Sequence, residues 1–508
     1  MAVTVGAASL FGVLGTPVQV EVDVLSLLPM FQVVGLPTSS VREARERVRS
    51  AIRSVDLPFP RRRITVNLAP ADVPKHGTGL DLPIALGVIA AAWQQERKRG
   101  AWADVPFALG ELGLDGSVRP IRGMLPLAEA AARAGAKTLV VPVDNGPEAA
   151  LVPGLRVLPV RTLDEAWKAA RGLLDPPAPM PAHGDCDDSA DLRDVRGHAH
   201  GRRLLEIAAA GGHGLLLEGP PGAGKSMLAR RLAGILPHLG DDAALEATRI
   251  HSAAGLLGTG GLMKRPPLRA PHHSASVPSM VGGGRPLGPG EVTLAHQGVL
   301  FLDEVPEFPR AVLESLRQPL EDGVVTVARA ESTATFPARF QLVATCNPCP
   351  CGWLGSDRPC SCSWPVLSRY RSRLSGPLRD RIDIVQWVGA EAPDVLLSDA
   401  EGEDSATVRA RVVQARGAQR ERLRACGKTT NSHASLSECL AHFGEGARQT
   451  VRRELARPGV TSRGVQQIAR VACTLADQAG SPAVSPEHVE VAVGLTLAGS
   501  AASEARSA

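Results

Sequence analysis

The sequence predicts a multidomain α/β protein, and three observations carry that expectation. A chain of 508 residues is too long for a single hydrophobic core. Strand-like apolar runs alternate with helical patterns as far as about Val388, as α/β and α+β domains require. One stretch, "DPPAPMPAHGDCDDS" (Asp175–Ser189), is rich in Pro and Asp, lacks apolar periodicity and reads as a linker. The expected order is an α+β domain over residues 1–174, a linker over 175–191, a central α/β domain over 192–390, a helical domain over 391–499 and a tail over 500–508.

The first domain rests on runs such as "VQVEVDVL" and "RITVNLAP" set against the helical pattern "VREARERVRSAIRSV". After residue 391 the periodicity is helical with few strand signals. Composition adds bounds. At 44% hydrophobic and 21% charged, with a net charge of +4, the chain is ordinary globular material that permits a nucleic-acid partner without demanding one. One Tyr, nine Phe and six Trp are too few for wide base-stacking platforms. No Lys or Arg precedes Arg42, and the longest apolar run, Leu82 to Trp93, contains Pro83. Neither a secretory signal nor a membrane span is expected, which points to the cytoplasm.

The strongest local signal is "HGLLLEGPPGAGKSMLARRLAG". Gly219, Pro220, Pro221, Gly222, Ala223, Gly224, Lys225 and Ser226 match a phosphate-binding loop between an apolar strand and a helix. Its glycines let backbone N–H groups approach phosphates, Lys225 reaches the terminal phosphates, and Ser226 is suited to Mg²⁺. Downstream, "GVLFLDEVPEF" closes an apolar strand with Asp303 and Glu304. After a phosphate loop, that pair reads as a metal-holding carboxylate (Asp303) and one that orients the attacking water (Glu304). A further strand, "FQLVATCN", ends at Asn347, and its resemblance to the strand that ends in sensor 1 of AAA+ ATPases implies that Asn347 helps position that water against the terminal phosphate. "LSGPLRDRIDI" resembles the segment that in AAA+ rings carries an arginine into the neighbouring subunit's site, which implies Arg381 in that role with Arg379 as competitor. The same resemblance implies Arg463, at a helix start in "VTSRGVQQIARVA", as sensor 2. An ordinary ion pair is the competing account for each arginine.

Five of nine cysteines fall between Cys346 and Cys362. Cys346 belongs to the buried end of its strand. Cys349, Cys351, Cys360 and Cys362 form a C-x-C…C-x-C pattern across turn residues, suited to a four-thiolate Zn²⁺ site; a loop of reduced cysteines is the alternative. Cys186, Cys426, Cys439 and Cys473 are scattered fillers. The adjacent His272 and His273 sit on what reads as an extended segment, which would send them to opposite faces.

In this order the motifs resemble the Mg-chelatase-like AAA+ ATPases of the YifB/ComM type. The resemblance extends over "VGLPTSSVREARERVRSAI", "VNLAPADVPKHGTGLDLPIAL", "RAPHHSASVPSMVGGG", "LRQPLEDG", "NPCPCG" and "SGPLRDRIDI". It implies an N-terminal Lon-protease-like (S5-like) α+β domain, a central AAA+ P-loop domain with a cysteine-rich insert (346–363) and a C-terminal helical lid. It also implies ATP and Mg²⁺, a hexameric ring, and a DNA motor driving branch migration during recombination or DNA uptake. A chelatase-like motor acting on a protein partner is the alternative.

Gly79 stands where the Lon serine would be and Leu125 where its lysine would be, so protease chemistry is not expected. Candidate DNA contacts are Arg329 at the tip of a hairpin read in "LEDGVVTVARAESTATFPARFQLV", then Lys264 and Arg265. A basic face over Arg42, Arg45, Arg47, Arg49, Arg53 and Arg61 to Arg63 either tracks phosphates or is a solvated surface paired with Glu43 and Glu46.

Overall fold

The computed structural model describes residues 2–71, 74–97, 106–180, 190–258, 261–284, 287–329, 332–374, 376–397, 402–456 and 460–496. The chain is mixed α/β with a helical C-terminal region, and it divides into two compact units. Most of the linker and all of the tail, with Cys186, lie outside the described residues.

The first unit opens with strands β1 (Val3–Phe11), β2 (Leu14–Leu25) and β3 (Met30–Val34), helix α1 (Ser39–Ser54) and β4 (Arg63–Ala69). They make a sheet of order β1-β2-β4-β3. Alternation in "VQVEVDVL" sends Val18, Val20, Val22 and Val24 inward. Helix α2 (Asp81–Arg97) packs on that face, with Leu82, Ile84, Leu86 and Ile89 buried. A parallel sheet of β5 (Phe107–Ala108), β6 (Thr138–Pro142) and β7 (Arg156–Val160) follows, with α3 (Met124–Arg133) preceding β6 and α4 (Leu163–Ala170) after β7.

On α1 the basic face is only partly free. Arg47 is drawn in by buried Asp81 at 2.6 and 3.0 Å, and Glu46 pairs with Arg45 (2.9 Å) and Arg49 (3.7 Å). The guanidiniums of Arg49 and Arg53 stand over Phe59.

The second unit holds α5 (Ala199–Gly211), β8 (Leu215–Glu218) and α6 (Lys225–Ile235). Residues 240–264, with α7 (Asp241–Ala254), then belong to the first unit, whereas the sequence reading kept them within a continuous 192–390 domain. Arg249 of α7 pairs with Glu129 at 2.7 and 2.9 Å, and the Ser252 carbonyl accepts from Gly123 N–H at 3.0 Å.

The second unit resumes with β9 (Leu268–Arg269), β10 (Val299–Leu302), α8 (Arg317–Asp322), the hairpin β11 (Val324–Arg329) and β12 (Ser332–Pro337), β13 (Gln341–Cys346) and β14 (Ile384–Trp387). Five strands form a parallel sheet of order β9-β10-β13-β8-β14. The hairpin expected in "LEDGVVTVARAESTATFPARFQLV" is β11–β12, a two-stranded unit outside the parallel sheet, followed by the sheet strand β13. Helices α9 (Ser405–Leu423), α10 (Ser462–Gln478) and α11 (Pro486–Thr496) share a core with the sheet through Val412, Ile468, Ala472 and Val489. A buried His213 ties the sheet's amino edge to α10, with Nδ1 3.0 Å from Asp383 and Nε2 2.8 Å from Thr474.

Candidate active site

Strand β8, between β13 and β14, places the phosphate loop at the carboxyl edge of the sheet, where ligands of open α/β sheets bind. Gly222 and Gly224 adopt φ of 78° and 72°, a region that glycine enters at little cost. At Gly219 a Cβ would lie 2.0 Å from the Val388 carbonyl oxygen, so the loop has room for no side chain there. The Lys225 ammonium donates to the carbonyls of Gly219 (2.7 Å) and Pro220 (2.8 Å) and to Asn347 Oδ1 (3.2 Å). Burial draws its pKa below the ordinary value, opposed by nearby acids that include Asp303 and Glu304.

Neighbouring strands bring the other polar groups to the same edge. Ser226 Oγ donates to Asp303 Oδ1 at 2.7 Å, and Thr345 Oγ1 donates to the same oxygen at 2.5 Å. The Glu304 N–H donates to Thr345 Oγ1 at 3.1 Å. Glu304 is a non-glycine residue in the left-handed region, φ 53°, and its side chain is exposed. Such geometry is costly and clusters where function requires it. Thr345 escaped the sequence reading, although its place one residue before the end of an apolar strand was visible. The pairing Leu302↔Ala344 sets Thr345 beside Asp303. Cys346 is buried and its thiol pKa is pushed up by that burial.

Arg381 and Arg463 are elsewhere. Backbone atoms of residues 381–383 lie against Gly214, at the amino edge of β8, while the phosphate loop follows Glu218 at the other end. Strand rise alone separates Ile384 from Val388 by about 13 Å. Arg381, with a side chain 7% exposed, pairs with Glu321, and Arg463 Nη2 stands 3.6 Å from the same carboxylate. Gln467 Nε2 donates to the carbonyls of Asp380 (2.8 Å) and Ile382 (3.0 Å), fixing α10 to this segment. Neither arginine is placed to serve its own chain's phosphate loop. Arg379 ends a short helix, Gly376–Arg379.

The four remaining thiols of the cysteine loop converge. Cys349, Cys351, Cys360 and Cys362 have sulfur atoms all within 4.8 Å of one another. Individual separations are 3.3 Å (Cys349–Cys351), 3.7 Å (Cys349–Cys360) and 3.5 Å (Cys351–Cys360). A tetrahedron with Zn–S bonds of about 2.3 Å has S···S edges of about 3.8 Å, so the donor set fits that ion. The Trp353 N–H helps bring the Cys351 thiol down to about 6, and Leu354 N–H donates to Cys349 Sγ at 3.4 Å. The loop also abuts the phosphate loop: a Cβ at Gly352 would lie 2.7 Å from the Pro221 ring.

Other expected residues are less concentrated. His272 and His273 do not point apart; the segment turns, and their rings stack with centroids 4.0 Å apart. Lys264 pairs with Asp241. Arg265 lines a pocket with Arg230, Arg409 and His238. Arg329 ends β11, paired with Ser332; its side chain lies outside the described residues. At the positions compared with Lon, a Cβ on Gly79 would lie 2.9 Å from Ile121 Cδ1, and Leu125 is buried with its N–H donating to Glu148 Oε1 at 2.8 Å.

A parallel sheet with this strand order, a phosphate loop after β8 and Asp303, Glu304 and Asn347 at the same edge defines a P-loop ATPase module. Family models agree: "Magnesium chelatase, subunit ChlI" matches residues 191–395, "Subunit ChlI of Mg-chelatase" matches 20–145, and the ChlI C-terminal model matches 402–496. The chain is 44% identical over 492 residues to the uncharacterized protein Rv2897c of Mycobacterium tuberculosis, covering 96% of each. It is 40% identical over 486 residues to YifB of Escherichia coli, covering 95% of this chain and 94% of YifB. It is 38% identical over 502 residues to competence protein ComM of Haemophilus influenzae, covering 97% of each. The chain belongs to the Mg-chelatase-like AAA+ ATPases of the YifB/ComM type. Among the described residues, no helix is long and apolar enough to cross a membrane.

Proposed function

We propose that this protein is an ATP-driven ring motor that acts on DNA, with branch migration in recombination or DNA uptake as its task. The observation that carries the ATPase half is the convergence of Lys225, Ser226, Asp303 and Asn347 at one sheet edge. Ser226 and Asp303 would hold Mg²⁺, which offsets phosphate charge when bound; Glu304 would orient the water, and Asn347 would help position it against the terminal phosphate. Arg381 and Arg463, remote from their own phosphate loop, would act on a neighbouring subunit, which implies a ring; six subunits fits the family.

The DNA half is supported by full-length similarity to a competence protein and by a β11–β12 hairpin suited to a pore. A travelling motor must grip backbone rather than bases, so Arg329, Lys264 and Arg265 are proposed as phosphate contacts. The first unit is proposed as a Lon-like scaffold without protease activity, because Gly79 and Leu125 offer neither nucleophile nor base. The cysteine loop is proposed to hold one structural Zn²⁺ that stiffens the phosphate loop through the Gly352–Pro221 contact. The similarity to a magnesium chelatase subunit favours one second reading, a motor that remodels a protein partner during metal insertion.

The direct test is ATP-dependent conversion of a labelled four-way junction to forked products. Conversion by the native chain and none by Glu304→Gln is expected. No conversion of any junction or fork by an active ATPase would turn the search toward a protein partner.

A further inference from the structure

Helix α8 ends at Glu321-Asp322, Gly323 closes it in the left-handed region (φ 67°), and β11 starts at Val324. Glu321 is therefore three residues from the hairpin. The hairpin's far end is fastened to the same turn, since Ala338 N–H donates to the Gly323 carbonyl at 2.8 Å. A Cβ on Gly323 would also lie 2.8 Å from the Arg339 side chain. Both ends of the hairpin thus meet at the residue that closes α8.

That turn carries the half-exposed carboxylate on which Arg381 and Arg463 converge. A third guanidinium, Arg317, lies one α-helical turn earlier and pairs with Glu314 at 3.1 Å. Burial and then the charges of Arg463 and Arg317 disfavour the Arg381 cation, opposed by Glu314. The cluster is crowded with positive charge, and Glu321 is the acid that both Arg381 and Arg463 share. A guanidinium 7% exposed must leave its carboxylate before it meets a phosphate on another subunit.

We propose that Glu321 is a positioning residue that holds Arg381 and Arg463 back from the neighbouring subunit's nucleotide until movement of the β11–β12 hairpin releases them. This rests on the reading of Arg381 as acting in trans and of the hairpin as the DNA-facing element. It makes the α8–hairpin turn the link by which a bound polymer sets the rate of hydrolysis next door.

The test compares steady-state ATP hydrolysis by full-length rings with and without duplex DNA. Glu321→Gln removes the charge at nearly constant shape, and its DNA-free rate is expected to rise to the DNA-stimulated rate of the native chain, so that stimulation disappears. Glu321→Asp keeps the charge on a shorter stem and is expected to be intermediate; it decides the matter should Glu321→Gln fail to assemble. Adding Arg381→Ala to Glu321→Gln is expected to abolish the raised rate. An unchanged or lowered DNA-free rate in an assembled Glu321 variant overturns the proposal, as does a raised rate that survives Arg381→Ala. Absence of DNA stimulation in the native chain would instead sink the DNA reading, and the DNA-free rates would still decide the role of Glu321.

Discussion

Ser226 and Asp303, 77 residues apart in sequence, are joined by a 2.7 Å hydrogen bond at the carboxyl edge of the central sheet. One comes from the start of α6 and the other from the end of β10, so the pair exists only when β8 and β10 are both in register with β13. Replacing Asp303 by Asn removes the anionic oxygen that would face the metal. Hydrolysis is expected to fall at least about 100-fold, with nucleotide binding in the presence of EDTA little changed. Equal loss of metal-free binding would contradict this role for Asp303.

Thr345 holds both neighbours of the proposed hydrolytic centre, donating to Asp303 and accepting from the Glu304 N–H. Thr345→Val keeps the shape and removes both bonds. Each is worth about 1 kcal/mol in stability, and loss of the second frees a backbone in an unfavourable conformation. The expected signature is a lower kcat with KM nearly unchanged, together with a modest fall in Tm. A purely structural role would lower Tm and leave kcat per folded chain intact.

The arginine geometry predicts complementation. Arg381→Ala and Lys225→Ala chains should each be nearly inactive alone. Mixed rings should regain activity, because an intact phosphate loop on one chain then meets Arg381 from the other. Mixtures that stay inactive despite forming joint rings would show that the arginine does not work between subunits.

Zinc content reads out the cysteine loop. Native protein is expected to carry about one zinc per chain by elemental analysis, and the Cys351→Ser/Cys360→Ser double variant none. Because Gly352 rests on Pro221, the metal-free variant should also bind ATP more weakly. Native protein purified without zinc from metal-replete cells would contradict the assignment.

Glu148 gives a test within the first unit. Its Oε1 accepts from Leu125 N–H at 2.8 Å and from the Ser252 hydroxyl, and burial raises its pKa. Glu148→Gln preserves the acceptor without a charge to desolvate and should leave stability unchanged or improved. Glu148→Ala strands a buried N–H and should cost about 1–3 kcal/mol. The sign of the pH effect follows: a carboxyl with raised native pKa favours the native state at low pH, and that contribution fades as pH rises through it. The Gln variant should therefore gain most, relative to the native chain, at alkaline pH.

Contiguous chemistry was legible in the sequence. A phosphate loop must place its glycines and lysine within one turn, and Asp303, Glu304 and Asn347 each close an apolar strand that announces itself. Four cysteines in one short loop were equally visible. Thr345 was not, because its role depends on which residue of β10 it faces. The shared grip of Arg381 and Arg463 on Glu321 joins three segments scattered across the second unit, and no local pattern encodes it. Residues 240–264 lie within the single family match over 191–395 and yet belong to the first compact unit; nothing in an amphipathic helix names the surface it will cover. The stacked histidines were misjudged for a simpler reason: "APHHSAS" turns, and alternation holds only on a strand.

The central claim is that hydrolysis at the Lys225–Asp303 site is coupled to DNA. Steady-state ATP hydrolysis with and without four-way-junction DNA, beside Glu304→Gln, tests it most directly. Strong stimulation by the junction that vanishes in the Gln variant is the predicted result. Brisk hydrolysis indifferent to every DNA would contradict it and leave an ATPase whose substrate is a protein.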